Sequence, residues 1–196
     1  MSAPREDVVN PDSEVVPIGH DTENERNVVV NPDSDHDPSG IQVLSTVVNP
    51  QGGAVNQGTT FFIRNELRAA HTVTVWVGRS ASHLDRDLIL AIRVEWSDGR
   101  HQTSGDQVTS STQHSFRFDE GETVTSMSIW AGDRVDRIRW RTNRNRNFDE
   151  GGKNYQNGFG GRERVQNVGN GVLLGFHGRD TPNTLFSLGS IFRGPN

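Results

Sequence analysis

The stretch "HTVTVWVG", residues 71–78, sets Val73, Val75 and Val77 against Thr72, Thr74 and Trp76. One-by-one alternation fits a strand, whose successive side chains point to opposite faces. It does not fit a helix, whose apolar face recurs every three to four residues. Similar patterns recur along the chain. "IQVLSTVV" (41–48) is the first, and "LILAIRVEW" (88–96) runs into the turn signal Ser97-Asp98-Gly99. "HSFRFDEGE" (114–122), "TVTSMSIWAG" (123–132) and "DRIRWRTN" (136–143) follow, and "GVLLGFHG" (171–178) and "LFSLGSIFR" (185–193) close the series. No segment shows the apolar period of an amphipathic helix. Hydrophobic residues make up only 31% of the 196, and 21 residues are Gly. Short strands joined by Gly-rich turns predict an all-β sandwich, barrel or prism.

The strand pattern does not reach the start of the chain. Residues 1–39 carry ten acids and two bases, a net of −8, whereas residues 40–196 carry fifteen acids and eighteen bases, a net of +3. The leader has too little apolar surface to offset its chain entropy. The expected division is therefore an acidic N-terminal extension, 1–39, before one folded domain, 40–196. "VVNPDS" occurs at 8–13 and 29–34, with "VVNPQG" at 47–52. The two spacings differ, so these read as strand-then-turn pieces, Asn-Pro starting each turn. The absence of Cys excludes a disulfide scaffold. No apolar run approaches the length of a membrane span. No apolar core of a secretory signal follows Met1, so a cytoplasmic or unconventionally secreted protein is expected, with the compartment left open.

The usual chemical motifs are missing. Asp33, Asp35 and Asp37 have calcium-loop spacing, but Pro38 and Leu44 stand where that loop needs a Gly and a carboxylate. The seven histidines form no metal-ligand spacing. No phosphate loop or nucleophile elbow is present. No catalytic residue, metal or cofactor is expected. Asp119, Glu120 and Glu122 fall at a hairpin turn, where solvation is the expected role. Arg137, Arg139 and Arg141 alternate with Ile138 and Trp140, followed by Arg144 and Arg146. On a strand those arginines share one face while Ile138 and Trp140 turn to the core. An exposed basic sheet face is expected, not a nucleic-acid binder.

The C-terminal stretch carries a family resemblance. Gly175-Phe176-His177-Gly178-Arg179, a short loop, and Leu185-Phe186-Ser187-Leu188-Gly189 resemble the closing signature of the jacalin-related lectins. Residues 136–143, 118–132, 88–99 and 41–61 are similar to earlier strands of that family, so the resemblance covers about residues 40–193. It implies a β-prism of three four-stranded Greek-key sheets with pseudo-threefold symmetry. It also implies a non-catalytic carbohydrate site at one end of the prism, with glycans as partners. Homo-oligomers would supply avidity.

The implied site consists of Gly52 and Gly53 with Asp180, Asn183, Thr184, Leu185 and Phe186. Gly lets backbone approach a sugar closely, and a carboxylate accepts strong bonds from its hydroxyls. The chain departs from the family where its sugar-holding aspartate falls on Phe186. Asp180 offers a carboxylate from the other end of the loop, and "DTPNT" reads as one residue longer than usual. Phe186 either stacks on a sugar or plugs the site. "SGDQVTSS" and Arg93 leave no second sugar site. The polar segment 143–167 is expected to project from the surface. Two functions follow: a carbohydrate-binding lectin, or a prism that has lost sugar binding and serves protein assembly.

Overall fold

The computed structural model describes residues 45–65, 67–108, 110–152 and 161–195. The leader, with its two "VVNPDS" copies and Asp33, Asp35 and Asp37, lies outside them, as does the 39/40 boundary. Gln42–Asn196 form one compact unit. The described residues contain thirteen strands: β1 Thr46–Val48, β2 Gly52–Gly53, β3 Thr59–Arg64, β4 Ala70–Ser80, β5 His83–Trp96, β6 His101–Gly105 and β7 Thr112–Arg117. Then come β8 Val124–Ala131, β9 Val135–Thr142, β10 Asn147–Gly151, β11 Arg162–Gln166, β12 Leu173–Thr181 and β13 Thr184–Arg193. All pairings are antiparallel.

One rule builds all three sheets. Hairpin β4–β5 takes the next strand, β6, beside β5 and the following one, β7, beside β4, giving the order β6-β5-β4-β7. Hairpin β8–β9 repeats this as β10-β9-β8-β11. Hairpin β12–β13 has no strands after it, so its flanks come from the start of the domain, in the order β1-β13-β12-β3. The short β2 adds a fifth strand on β13. This is the β-prism of Greek-key sheets, closed by pairing the first strands with the last. Inward side chains of all three sheets form one core, including Val75, Ile92, Ile129, Trp140, Phe176 and Leu188. Each such burial is worth about 1.5–3 kcal/mol.

Two surface expectations are corrected. The 143–167 segment does not simply project: β10 and β11 come from it and complete a sheet. Its polar residues meet the arginine face. Arg137 forms a paired hydrogen bond with Asp149, Arg139 lies 3.8 Å from Glu163, and Arg141 donates to Asn147. Trp130 sits beneath Arg137 and Arg139. The basic stripe is thus largely answered within its own sheet. The acidic turn is also not mere solvation. The Glu122 side chain is fully buried, where it accepts bonds from Thr142 Oγ1, Arg146 and the Asp119 N–H. A buried carboxylate needs such partners to hold its charge.

Candidate functional site

Gly52 and Gly53 lie directly against the C-terminal hairpin. Ser187 pairs with Gly53 and Leu188 with Gly52, and Ala54 N–H donates to the Phe186 carbonyl at 3.0 Å. Gly53 has φ +108°. A Cβ there would stand 2.2 Å from the Phe186 oxygen, so only glycine permits this approach.

The hairpin itself is tighter than its sequence suggests. Thr181 pairs with Thr184, leaving Pro182-Asn183 as a two-residue turn. The extra residue sits in the strand instead. Arg179 pairs with Ser187 but Asp180 with Leu185, so Phe186 is the additional residue of a β-bulge. Its ring is buried, with the Arg134 guanidinium 4.0 Å above it. Gly58 lies against the ring: a Cβ there would come within 2.9 Å of Phe186 Cδ2. Burial draws the Arg134 pKa below its ordinary value, and the neighbouring Asp133 charge opposes this.

Asp180 is half-buried at the end of β12. One carboxylate oxygen accepts from Ser104 Oγ and, at 2.9 Å, from Gly105 N–H. The other oxygen has no hydrogen-bond partner among the described residues. Arg179 clamps the neighbouring loop, donating to the Gln57 and Gly58 carbonyls and to Thr60 Oγ1 at 2.7–3.0 Å. Asn183 is exposed on the turn. Thr184 is buried, and its hydroxyl has no hydrogen-bond partner. Leu185 is fully buried in the core. Of the seven residues expected from sequence, Gly53, Asp180 and Asn183 therefore present surface, Gly52 and Phe186 are buried, and Thr184 and Leu185 face inward. Arg134, Gly58, Ser104 and Gly105 were not foreseen. Ser104 and Gly105 lie some 75 residues from Asp180, and no local pattern links them.

Arg134 stands on the β8–β9 turn, and a network of charged groups, Asp133 exposed and Asp136 buried, holds that turn. Asp133 accepts from His83 Nε2 at 2.7 Å and from Arg86. Burial alone would raise the Asp133 pKa, but these two donors outweigh it and hold the carboxyl below its ordinary range. Asp136 is more deeply placed. Burial pushes its pKa up to about 6, against the opposing pull of Arg86 and the Gly161 N–H. The folded chain thus keeps a proton that the unfolded chain releases. Asp136 favours folding most below about pH 4, and this advantage disappears as pH rises through about 6. Asp136→Asn is expected to stabilise the protein at pH 8 by on the order of 2 kcal/mol, with little change at pH 4. Urea unfolding at both pH values checks this; an equal effect at both would refute it.

The model of the jacalin-like lectin domain matches residues 48–191. This chain belongs to that family. Comparison with curated proteins gives no significant match. Among solved structures, the lectin domain is similar to lamprey immune protein, with 26% identity and a TM-score of 0.61. That alignment covers 78% of this chain and 46% of the lamprey protein, so the chain spans about half the length of that relative. Wild-type Malaysian banana lectin is 22% identical with a TM-score of 0.55, over 78% of this chain and 99% of that one. A mannose-binding jacalin-related lectin from Ananas comosus is 18% identical with a TM-score of 0.53, over 76% and 98%. The two plant structures support the fold alone. Among the described residues of the lectin domain, no group of three His, Asp or Glu side chains is placed to hold a metal. No described helix is long and apolar enough to cross a membrane.

Proposed function

We propose that this chain is a non-catalytic carbohydrate-binding lectin. Its glycan would lie against Gly53, Asp180 and Asn183, and a homo-oligomer would raise avidity. The observation that carries this reading is the free oxygen of Asp180, held beside the C-terminal hairpin by Ser104 and Gly105. A sugar hydroxyl donating to that oxygen would make a charge-assisted bond. Family membership supports the ligand class.

Asp180→Asn keeps an acceptor for the Gly105 N–H while removing the charge. It is expected to weaken binding about tenfold, in keeping with a lost charge-assisted bond, with only a small change in melting temperature. Titration with the glycan selected on an array, competed by free monosaccharide, measures this. Unchanged affinity would remove Asp180 from the site. A second reading rests on Phe186, whose ring is buried beneath Arg134. In that case the domain serves protein assembly. Silence across a broad array, with self-association retained in light scattering, would favour it over the lectin reading.

A further inference from the structure

The opposite end of the prism also holds an opening. The turns at 132–134 and 182–183 share one end of the strands, while β4 and β8 begin, β12 begins and β13 finishes at the other. There a cleft of about 770 Å³ opens between β4, β7, β12, β13 and the 118–123 loop. Ala70, Phe118, Val172 and Leu173 contribute apolar lining, and Arg193 stands among them.

The charges of this cleft are unevenly matched. Glu122 is satisfied by Thr142 and Arg146. Asp119 is paired with Arg144 and Arg146 at 3.2 and 3.1 Å. Arg117 donates through Nε to His71 Nε2. Arg193 is different: its Nε is buried with no hydrogen-bond partner, and no described carboxylate forms an ion pair with it. A buried donor left unmade costs about 1–3 kcal/mol, more when the group is charged. No described group hydrogen-bonds its outer guanidinium nitrogens either, and a cation left so beside an apolar opening fits a ligand that brings its own anion. Pockets of roughly 300–1,000 Å³ with apolar walls and few polar groups suit small organic molecules. The exposed Glu120 leaves a dense anion such as a polyphosphate disfavoured.

We propose that this cleft is a second binding site, for an amphipathic monocarboxylate whose carboxylate engages Arg193 and whose hydrocarbon part lies along Phe118 and Leu173. The site is independent of the sugar reading and sits at the other end of the domain.

Calorimetric titration of the full chain with octanoate and, separately, octanol tests it. Octanoate is expected to bind the native protein at least tenfold more tightly than octanol. Arg193→Gln is expected to reduce octanoate affinity at least tenfold and leave octanol binding unchanged. Arg193→Lys keeps the charge and is expected to retain an intermediate affinity. Asp180→Asn is expected to bind octanoate as the native chain does, which separates this site from the glycan site. No octanoate binding to the native protein, or equal binding of octanoate and octanol, would overturn the proposal even if an Arg193 variant did not fold. Equal octanoate binding by folded Arg193→Gln would overturn it as well.

Discussion

Trp140→Ala is expected to destabilise the domain by about 3–5 kcal/mol, the range for emptying a large aromatic site in a core. Trp140 on β9 is almost completely buried. It stacks on Phe148 of β10 with ring centroids 4.2 Å apart, meets Phe116 of β7 edge-on at 5.5 Å, and faces Phe118 at 6.2 Å. The cluster therefore joins two sheets, and truncation leaves a void that both would have to close. Trp140→Phe separates two effects. It keeps most of the packing and removes an indole N–H that has no hydrogen-bond partner, so its cost should be less than half that of the alanine variant. Urea unfolding of both variants measures the difference. An alanine cost under about 1 kcal/mol would mean that the site collapses without penalty.

The same strand shows what sequence patterning can reveal. Arg137, Arg139 and Arg141 alternate with Ile138 and Trp140, and the structure places the apolar pair in the core. The three central hairpins were legible for that reason: each has an inward face rich in β-branched or aromatic residues. Strands β2, β6 and β11 lack such a face, and β10 has Phe148 alone. Gly52–Gly53, "HQTSG", "NFDEG" and "RERVQ" are held mainly by backbone pairing at sheet flanks, so hydrophobic alternation is a weak signal for them. The resemblance at Gly175–Arg179 did identify the family, which the domain match bears out. It also marked Phe186 as the departure. It left open whether the aromatic ring stacks on a ligand or fills the site. The bulge and the Arg134 contact that bury the ring depend on partners far apart in sequence. Glu122 illustrates the same limit of local reading. Its turn context suggested solvent, while Thr142 and Arg146, twenty or more residues later, make it a buried anchor.

Gly53→Ala should couple the fold to the candidate site, and its neighbour supplies the control. At φ +108° an alanine meets backbone strain of about 1–2 kcal/mol. Its Cβ would also lie 2.2 Å from the Phe186 oxygen and 3.0 Å from Ser187 Cα. Those obstacles are backbone atoms of β13, so relief requires β2 to move away, at a further cost of about 1–3 kcal/mol. The expected loss is about 3 kcal/mol of stability, together with loss of any glycan affinity that needs Gly53 near the hairpin. Gly52→Ala meets the flexible Arg164 side chain at 3.1 Å and Ala131 Cβ at 3.4 Å, without the positive φ. Its cost should stay below about 1 kcal/mol. Thermal unfolding and glycan titration of the two variants check the contrast. Equal behaviour would show that the close approach of β2 to the Phe186 carbonyl does not constrain this end of the prism. A selective loss in Gly53→Ala would show that the backbone contact tying the first strands to the last also shapes the surface offered to a sugar.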